Sequence, residues 1–232
     1  KARRAQVDVD FVRASLDGLA PGFNKSSGKP AKASFALIEA DGGYTLDNLS
    51  FEGGGASLRG SAHVGGDGKF QWAKLSQVRL SPGDDLKVDA TRSGDGLKLV
   101  ARGAAFDARP FMRAMSASAG EAAPKDFDLD LKTTLLTGHN MQAIANAELR
   151  LVRAGGRPRT MQLNGRFGRD PVSIGLAQSA DGFVFQTQDA GAALGFLDIY
   201  KRMEGGRLSG AVRFDQERID ASFTIRDFVL RD

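Results

Sequence analysis

The 232-residue chain holds few side chains equipped for covalent or acid–base chemistry. It has no cysteine, which removes disulfides, thiolate nucleophiles and cysteine-ligated metals. His63 and His139 are its two histidines. Neither has a second histidine or a carboxylate at a spacing that builds a metal site or a catalytic triad. His63 falls on a strand between Ala62 and Val64, and His139 falls in the turn sequence Thr137-Gly138-His139-Asn140; both read as incidental surface residues. Carboxylates recur at every second position in Asp8-Asp10 and in Asp126-Asp128-Asp130. On a strand that spacing places them on one face, where they meet solvent. A calcium loop would add a glycine turn and a downstream bidentate glutamate, and these are absent. The glycine clusters form no Gly-x-Gly-x-x-Gly, Gly-Lys-Ser/Thr or Gly-x-Ser-x-Gly motif, and Lys25-Ser26 follows Asn24 rather than glycine. The reading is of a protein that is not an enzyme, with no catalytic residue, metal or cofactor.

Composition narrows the remaining classes. With 41% hydrophobic and 26% charged residues the chain can build a core. Its 32 basic and 28 acidic side chains are interleaved, for a net charge of +4. A nucleic-acid partner is therefore not expected, since it would call for a basic stripe with stacking aromatics. Weak attraction to anionic lipid is compatible with the charge. One tryptophan, Trp72, and two tyrosines give few platforms for stacking sugars. No run approaches the roughly 18 apolar residues of a membrane-spanning helix, and no signal peptide is visible. Beginning at Lys1, the chain reads as an excised piece of a longer protein.

The elements that would position any site are almost all strands. Alternating segments at 33–40, 44–52, 56–64, 69–80, 85–92 and 96–106 are separated by turn signals such as Asp41-Gly42-Gly43 and Pro82-Gly83-Asp84. Strands joined by such short turns pair antiparallel, because parallel neighbours need long crossovers. A loop rich in Gly, Pro, Ser and Lys precedes them from Gly18 to Pro30. A short helix follows at 107–115, then a flexible Ser/Ala/Gly/Pro stretch at 116–124. Strands return at 126–136, 141–153, 159–168, 172–179, 182–188, 207–215 and 218–230. A second, amphipathic helix is expected at 190–204, N-capped by Asp189 and stopped by Gly205-Gly206. Its apolar face carries Ala192, Phe196, Ile199, Tyr200 and Met203, with Gly195, Asp198 and Arg202 opposite. The predicted fold is mainly β: a long, curved antiparallel meander, groove-like or open-barrel-like, with two short α-helices inserted. It divides into 1–125 and 126–232 as one continuous sheet.

Each strand has one apolar and one polar face. Two short helices are too little to cover so many apolar faces, leaving either a closed sandwich or barrel or an open apolar groove. The candidate groove residues are Phe127, Leu129, Leu131, Leu163, Phe167, Phe183, Phe185, Val212, Phe214, Phe223 and Ile225, with the helix face of Phe196, Ile199, Tyr200 and Met203.

The segment Asp189-Ala190-Gly191…Leu194…Tyr200…Gly205-Gly206-Arg207-Leu208 resembles a strand–helix–strand segment of the bacterial AsmA-like superfamily. The N-terminal stretch is similar to that of its long members through Val7-Asp8-Val9-Asp10-Phe11, Ala14-Ser15-Leu16, Gly22-Phe23-Asn24-Lys25, Pro30 and Ala33-Ser34-Phe35. Phe23 stands where tryptophan is usual, and Ser26 where proline often follows the lysine. Phe106-Asp107-Ala108-Arg109-Pro110-Phe111 resembles the family's short helix start. The resemblance implies the periplasmic part of a Gram-negative envelope protein, anchored to the inner membrane by a segment outside this chain. Its partners would be phospholipid acyl chains, the inner and outer membranes through parts outside this chain, and an envelope protein, and its role passive phospholipid transport along a β-groove toward the outer membrane. The alternative is a structural or interaction β-domain with a closed core.

Overall fold

Period-two alternation governs nearly the whole chain, and the computed structural model is mainly β with two short helices. It describes residues 4–17, 23–40, 42–116, 126–155, 157–167, 172–179, 182–215 and 218–231. Most of the stretch read as a flexible loop, residues 117–124, lies outside that set, as do residues 18–22 of the N-terminal loop and Asp41 of the first turn signal. Contacts divide the chain into two units, Lys1–Asp128 and Leu129–Asp232.

The first unit contains β1 (Arg4–Asp10), β2 (Leu16–Asp17), β3 (Asn24–Lys25), β4 (Ala31–Ala40), β5 (Gly43–Gly53), β6 (Ala56–Gly65), β7 (Phe70–Arg79), β8 (Asp85–Ser93), β9 (Gly96–Asp107) and α1 (Ala108–Ser116). β1 pairs with β4, and β4 to β9 then follow chain order, each antiparallel to its neighbour. One apolar row crosses the strands through Val9, Ala33, Phe51, Leu58, Val78 and Leu86. Within the loop expected between Gly18 and Pro30, Asn24–Lys25 forms β3, which pairs with β2 just before that loop. Phe11 and Phe23 pack their rings 6.4 and 6.0 Å from that of Phe51. Lys25 is buried beside them, and its ammonium donates to the carbonyls of Phe11, Val12 and Ala14. A bulge in β5 is centred on Asn48, whose left-handed backbone (φ 52°) asparagine tolerates well.

Asp84 organises the turn after β7. Its carboxylate accepts the amides of Leu80 (3.0 Å), Ser81 (2.8 Å) and Asp107 (2.8 Å). Burial pushes this carboxyl up from the usual range, against the opposite pull of those three amides. Asp107 is held below the usual range by the Arg109 guanidinium, which donates to both its oxygens.

The sheet is mixed rather than antiparallel throughout. At the start of β9 the Leu97 amide donates to the carbonyl of Asp126, 3.2 Å away and immediately before β10 (Phe127–Thr137), so the two strands begin side by side. The pairings whose register is described are antiparallel, as the short turns imply.

The second unit holds β10 from Leu129 onward, β11 (Ala143–Ala154), β12 (Arg157–Phe167), β13 (Val172–Ser179), β14 (Gly182–Thr187), α2 (Ala190–Phe196), β15 (Met203–Asp215) and β16 (Arg218–Leu230). These strands also follow chain order, with β16 at the edge. Asp189 caps α2 as expected, its carboxylate accepting the Ala192 amide at 2.8 Å.

Candidate functional site

Residues directly opposite in an antiparallel pair share a face. In the second unit this rule links Leu149 to Leu163, Leu163 to Leu176, Leu176 to Phe185, Phe185 to Gly210, and Gly210 to Phe223. One apolar row thus crosses β11 to β16. Beside it on the same face run Phe183–Val212–Ala221 and Ile174–Thr187–Leu208–Ile225. Ile144 and Phe167 begin a further row. The structure therefore brings together Leu163, Phe167, Phe183, Phe185, Val212, Phe223 and Ile225, as the alternation predicted. The backbone of Phe214 follows Val212 on β15, but its side chain is outside the described set. Phe127, Leu129 and Leu131 share one face of β10, where Phe127 and Leu131 are buried and Leu129 half-buried.

Helix α2 covers only one end of this face. The ring of Phe196 meets that of Phe167 edge-on, at 6.2 Å and 67°, and also fills the space a Cβ at Gly138 would need. At the other side of α2, a Cβ at Gly191 would run into the Met203 carbonyl, so helix and β15 touch backbone to backbone. Burial does not follow this cover alone, since Phe183 in the neighbouring row is buried as well. Phe167 is 2% exposed beneath the helix, whereas Leu163, Leu176 and Phe185 are half-buried and Phe223 is 68% exposed. No second layer covers the Leu149–Phe223 row among the described residues. Such a strip of methyl, methylene and ring surface can gain from contact with other apolar groups, at about 0.8 kcal/mol per buried CH2.

Three expectations need correction. The helix ends at Phe196, not at 204. The Leu194 carbonyl accepts the amides of both Ile199 and Tyr200, and Asp198 turns into the left-handed region (φ 59°), so the spiral cannot continue. Ile199 and Tyr200 are exposed and Met203 begins β15, leaving Ala192 and Phe196 as the members of the predicted helix face that lie on the helix, both buried. Gly195, assigned to the polar side, is buried, and Gly205-Gly206 sits inside β15 instead of stopping the helix. His63 is buried rather than incidental. It pairs across the sheet with both Thr45 and Trp72, its Nδ1 lies 3.0 Å from the Thr45 hydroxyl, and its ring stacks on the indole at 5.8 Å and 11°.

Sequence reasoning missed the structural roles of Lys25 and Asp84. For Asp84 the signal was a Pro-Gly-Asp turn with an acceptor in reach of its own amides; for Lys25 no local signal exists. Among the described residues no group of three or more His, Cys, Asp or Glu side chains could hold a metal ion. A shallow recess of ≈ 360 Å³ lies in the first unit between Asp8, Asp10, Lys32, Ser34 and Glu52.

No family model matches the chain, and no curated protein or solved structure does either.

Proposed function

We propose that this chain is a non-enzymatic lipid-binding segment of an AsmA-like envelope protein, with phospholipid acyl chains lying against the second unit's apolar face. The observation that carries the reading is the Leu149–Leu163–Leu176–Phe185–Gly210–Phe223 row, which crosses six strands with no covering layer among the described residues. Acyl methylenes would replace water along that row while head groups stay hydrated, so binding needs no head-group pocket. A continuous track of this kind suits movement of lipid along it better than capture at one point. The setting that goes with the reading is the periplasm, with anchorage to the inner membrane by a segment outside this chain and delivery toward the outer membrane.

The test is native mass spectrometry with lipid extraction on the purified protein, beside Phe185→Asp and Phe223→Asp. Phospholipid that copurifies and is lost in both variants, with the circular dichroism spectrum retained, is the expected result. A lipid-free protein that unfolds on Phe185→Asp would instead mean a self-filled core and an interaction domain.

A further inference from the structure

Away from the strand row, large apolar side chains are exposed where three segments of the second unit meet. The turn at 138–142 is tied to the end of α2: the His139 amide donates to the Phe196 carbonyl (3.0 Å), and the Asn140 side-chain amide reaches both the Gly195 carbonyl and the Asp198 carboxylate (2.9 Å each). The segment 197–202 leads from that helix end into β15. The end of β16 lies beside it, through the pairs Met203–Leu230 and Glu204–Val229 and the Arg231 amide on the Arg202 carbonyl (2.9 Å).

From these segments Met141, Leu197, Ile199, Tyr200 and Leu230 are exposed, Met141 completely and Ile199 to 66%. Single exposed apolar residues need no explanation, but a cluster drawn from three segments does. Met141 adds strain to exposure. It follows Asn140 in the left-handed region (φ 50° and 58°), a conformation costly for methionine, and its side chain is fully exposed. The turn therefore holds this side chain outward at a cost.

Lys201 and Arg202 directly follow Ile199-Tyr200 and are exposed, and among the described residues neither is engaged in an ion pair. Arg231 lies there too, paired with Glu204 at 2.5 Å. Apolar tips, then an amphipathic tyrosine ring, then cations is the order in which a segment enters a membrane interface. A protein interface would instead be depleted of lysine. We infer that this end of the second unit docks on an anionic phospholipid surface, with Met141, Ile199 and Leu230 entering the acyl boundary and Lys201 and Arg202 meeting the head-group phosphates. The inference does not rest on the acyl-track reading, since it concerns different residues and binding to an intact bilayer.

Sedimentation with sucrose-loaded vesicles tests it, comparing phosphatidylcholine vesicles that contain phosphatidylglycerol with pure phosphatidylcholine vesicles. The wild-type protein is expected to sediment with the anionic vesicles. Lys201→Glu/Arg202→Glu is expected to weaken partitioning by at least about tenfold, and Ile199→Ser/Leu230→Ser by on the order of tenfold. Both double variants alter exposed positions and are expected to keep the wild-type urea midpoint. Should either prove unstable, Met141→Ser provides the same readout at a turn. Absence of wild-type binding, equal binding to uncharged vesicles, or variants that bind like wild type would overturn the inference. So would a vesicle-inert dimer that Ile199→Ser/Leu230→Ser converts to monomer, which would assign the patch to a second copy of this chain. Phe223→Asp, which removes the acyl track, leaves vesicle binding intact, so the two readings fail separately.

Discussion

Phe185 and Phe223 lie in one cross-strand row with Gly210 between them, and the Phe185 ring occupies the space that a Cβ at position 210 would need. The glycine is thus the gap into which an aromatic ring leans, and the row is continuous because this residue has no side chain.

Gly210→Val should therefore push the Phe185 ring off the sheet. The added Cβ would also crowd the Ser222 carbonyl, at 2.6 Å. Overpacking of this kind costs about 1–3 kcal/mol, and urea denaturation should show that loss. If the row is a lipid track, copurifying lipid should fall in the same variant. A stability equal to that of wild type would show that the ring has room to move and that Gly210 does not shape the face.

The gradient of cover along the same face predicts a contrast between two phenylalanines. Phe167, packed under Phe196, should cost about 3–5 kcal/mol when replaced by alanine. Phe223, exposed at the sheet edge, should change stability by no more than about 0.5 kcal/mol on the same substitution. Equal, large losses at both positions would mean that Phe223 is covered in solution.

The strands and the shared apolar face were legible because their signal is local: alternation at Met161-Leu163, Phe183-Phe185 and Phe223-Ile225 assigns a face without knowledge of the partner strand. What alternation cannot supply is the partner. His63 looked incidental because nothing near it in sequence reveals Thr45 and Trp72 on either side. The length of α2 was misjudged for a related reason. Ile199, Tyr200 and Met203 continue the helical spacing beyond Phe196, yet the helix ends where the Leu194 carbonyl takes two later amides and where β15 must begin beneath Gly191. Those are matters of backbone hydrogen-bond accounting and close approach, and neither leaves a periodic trace.

Lys25 offers a test of the least legible feature. Its ammonium donates to the carbonyls of Phe11, Val12 and Ala14, the first two of which also accept the amides of Ala14 and Gly28, while its stem packs beside Gly54. Lys25→Met keeps the stem and removes three donors from these carbonyls. A loss of about 1.5–3 kcal/mol is expected. Amide exchange at Gly28, which donates to the Val12 carbonyl at 2.7 Å, should accelerate more than exchange in β7 or β8. Uniform acceleration across the first unit would instead make Lys25 part of its global core.

The two carboxyls at the β7–β9 junction predict opposite pH slopes. The folded pKa of Asp84 is raised by burial, so the folded state holds its proton more tightly than the unfolded chain does. Its contribution is fully present below the ordinary value of 3.8 and is lost as pH rises through the raised value. Asp107 is lowered by Arg109, so its contribution is present above 3.8 and is lost as pH falls through its depressed value. Asp84→Asn lowers stability at every pH, because one of its three amide bonds must then face a donor; a loss of about 1–3 kcal/mol is expected. The diagnostic quantity is the difference between wild type and Asp84→Asn in urea unfolding, followed from acid toward neutral pH. That difference should shrink as pH rises past 3.8 and then level off, while the loss below 3.8 persists in both proteins and disappears in Asp107→Asn. A difference that grows with pH would mean that the three amides outweigh burial and hold Asp84 ionised in the folded protein.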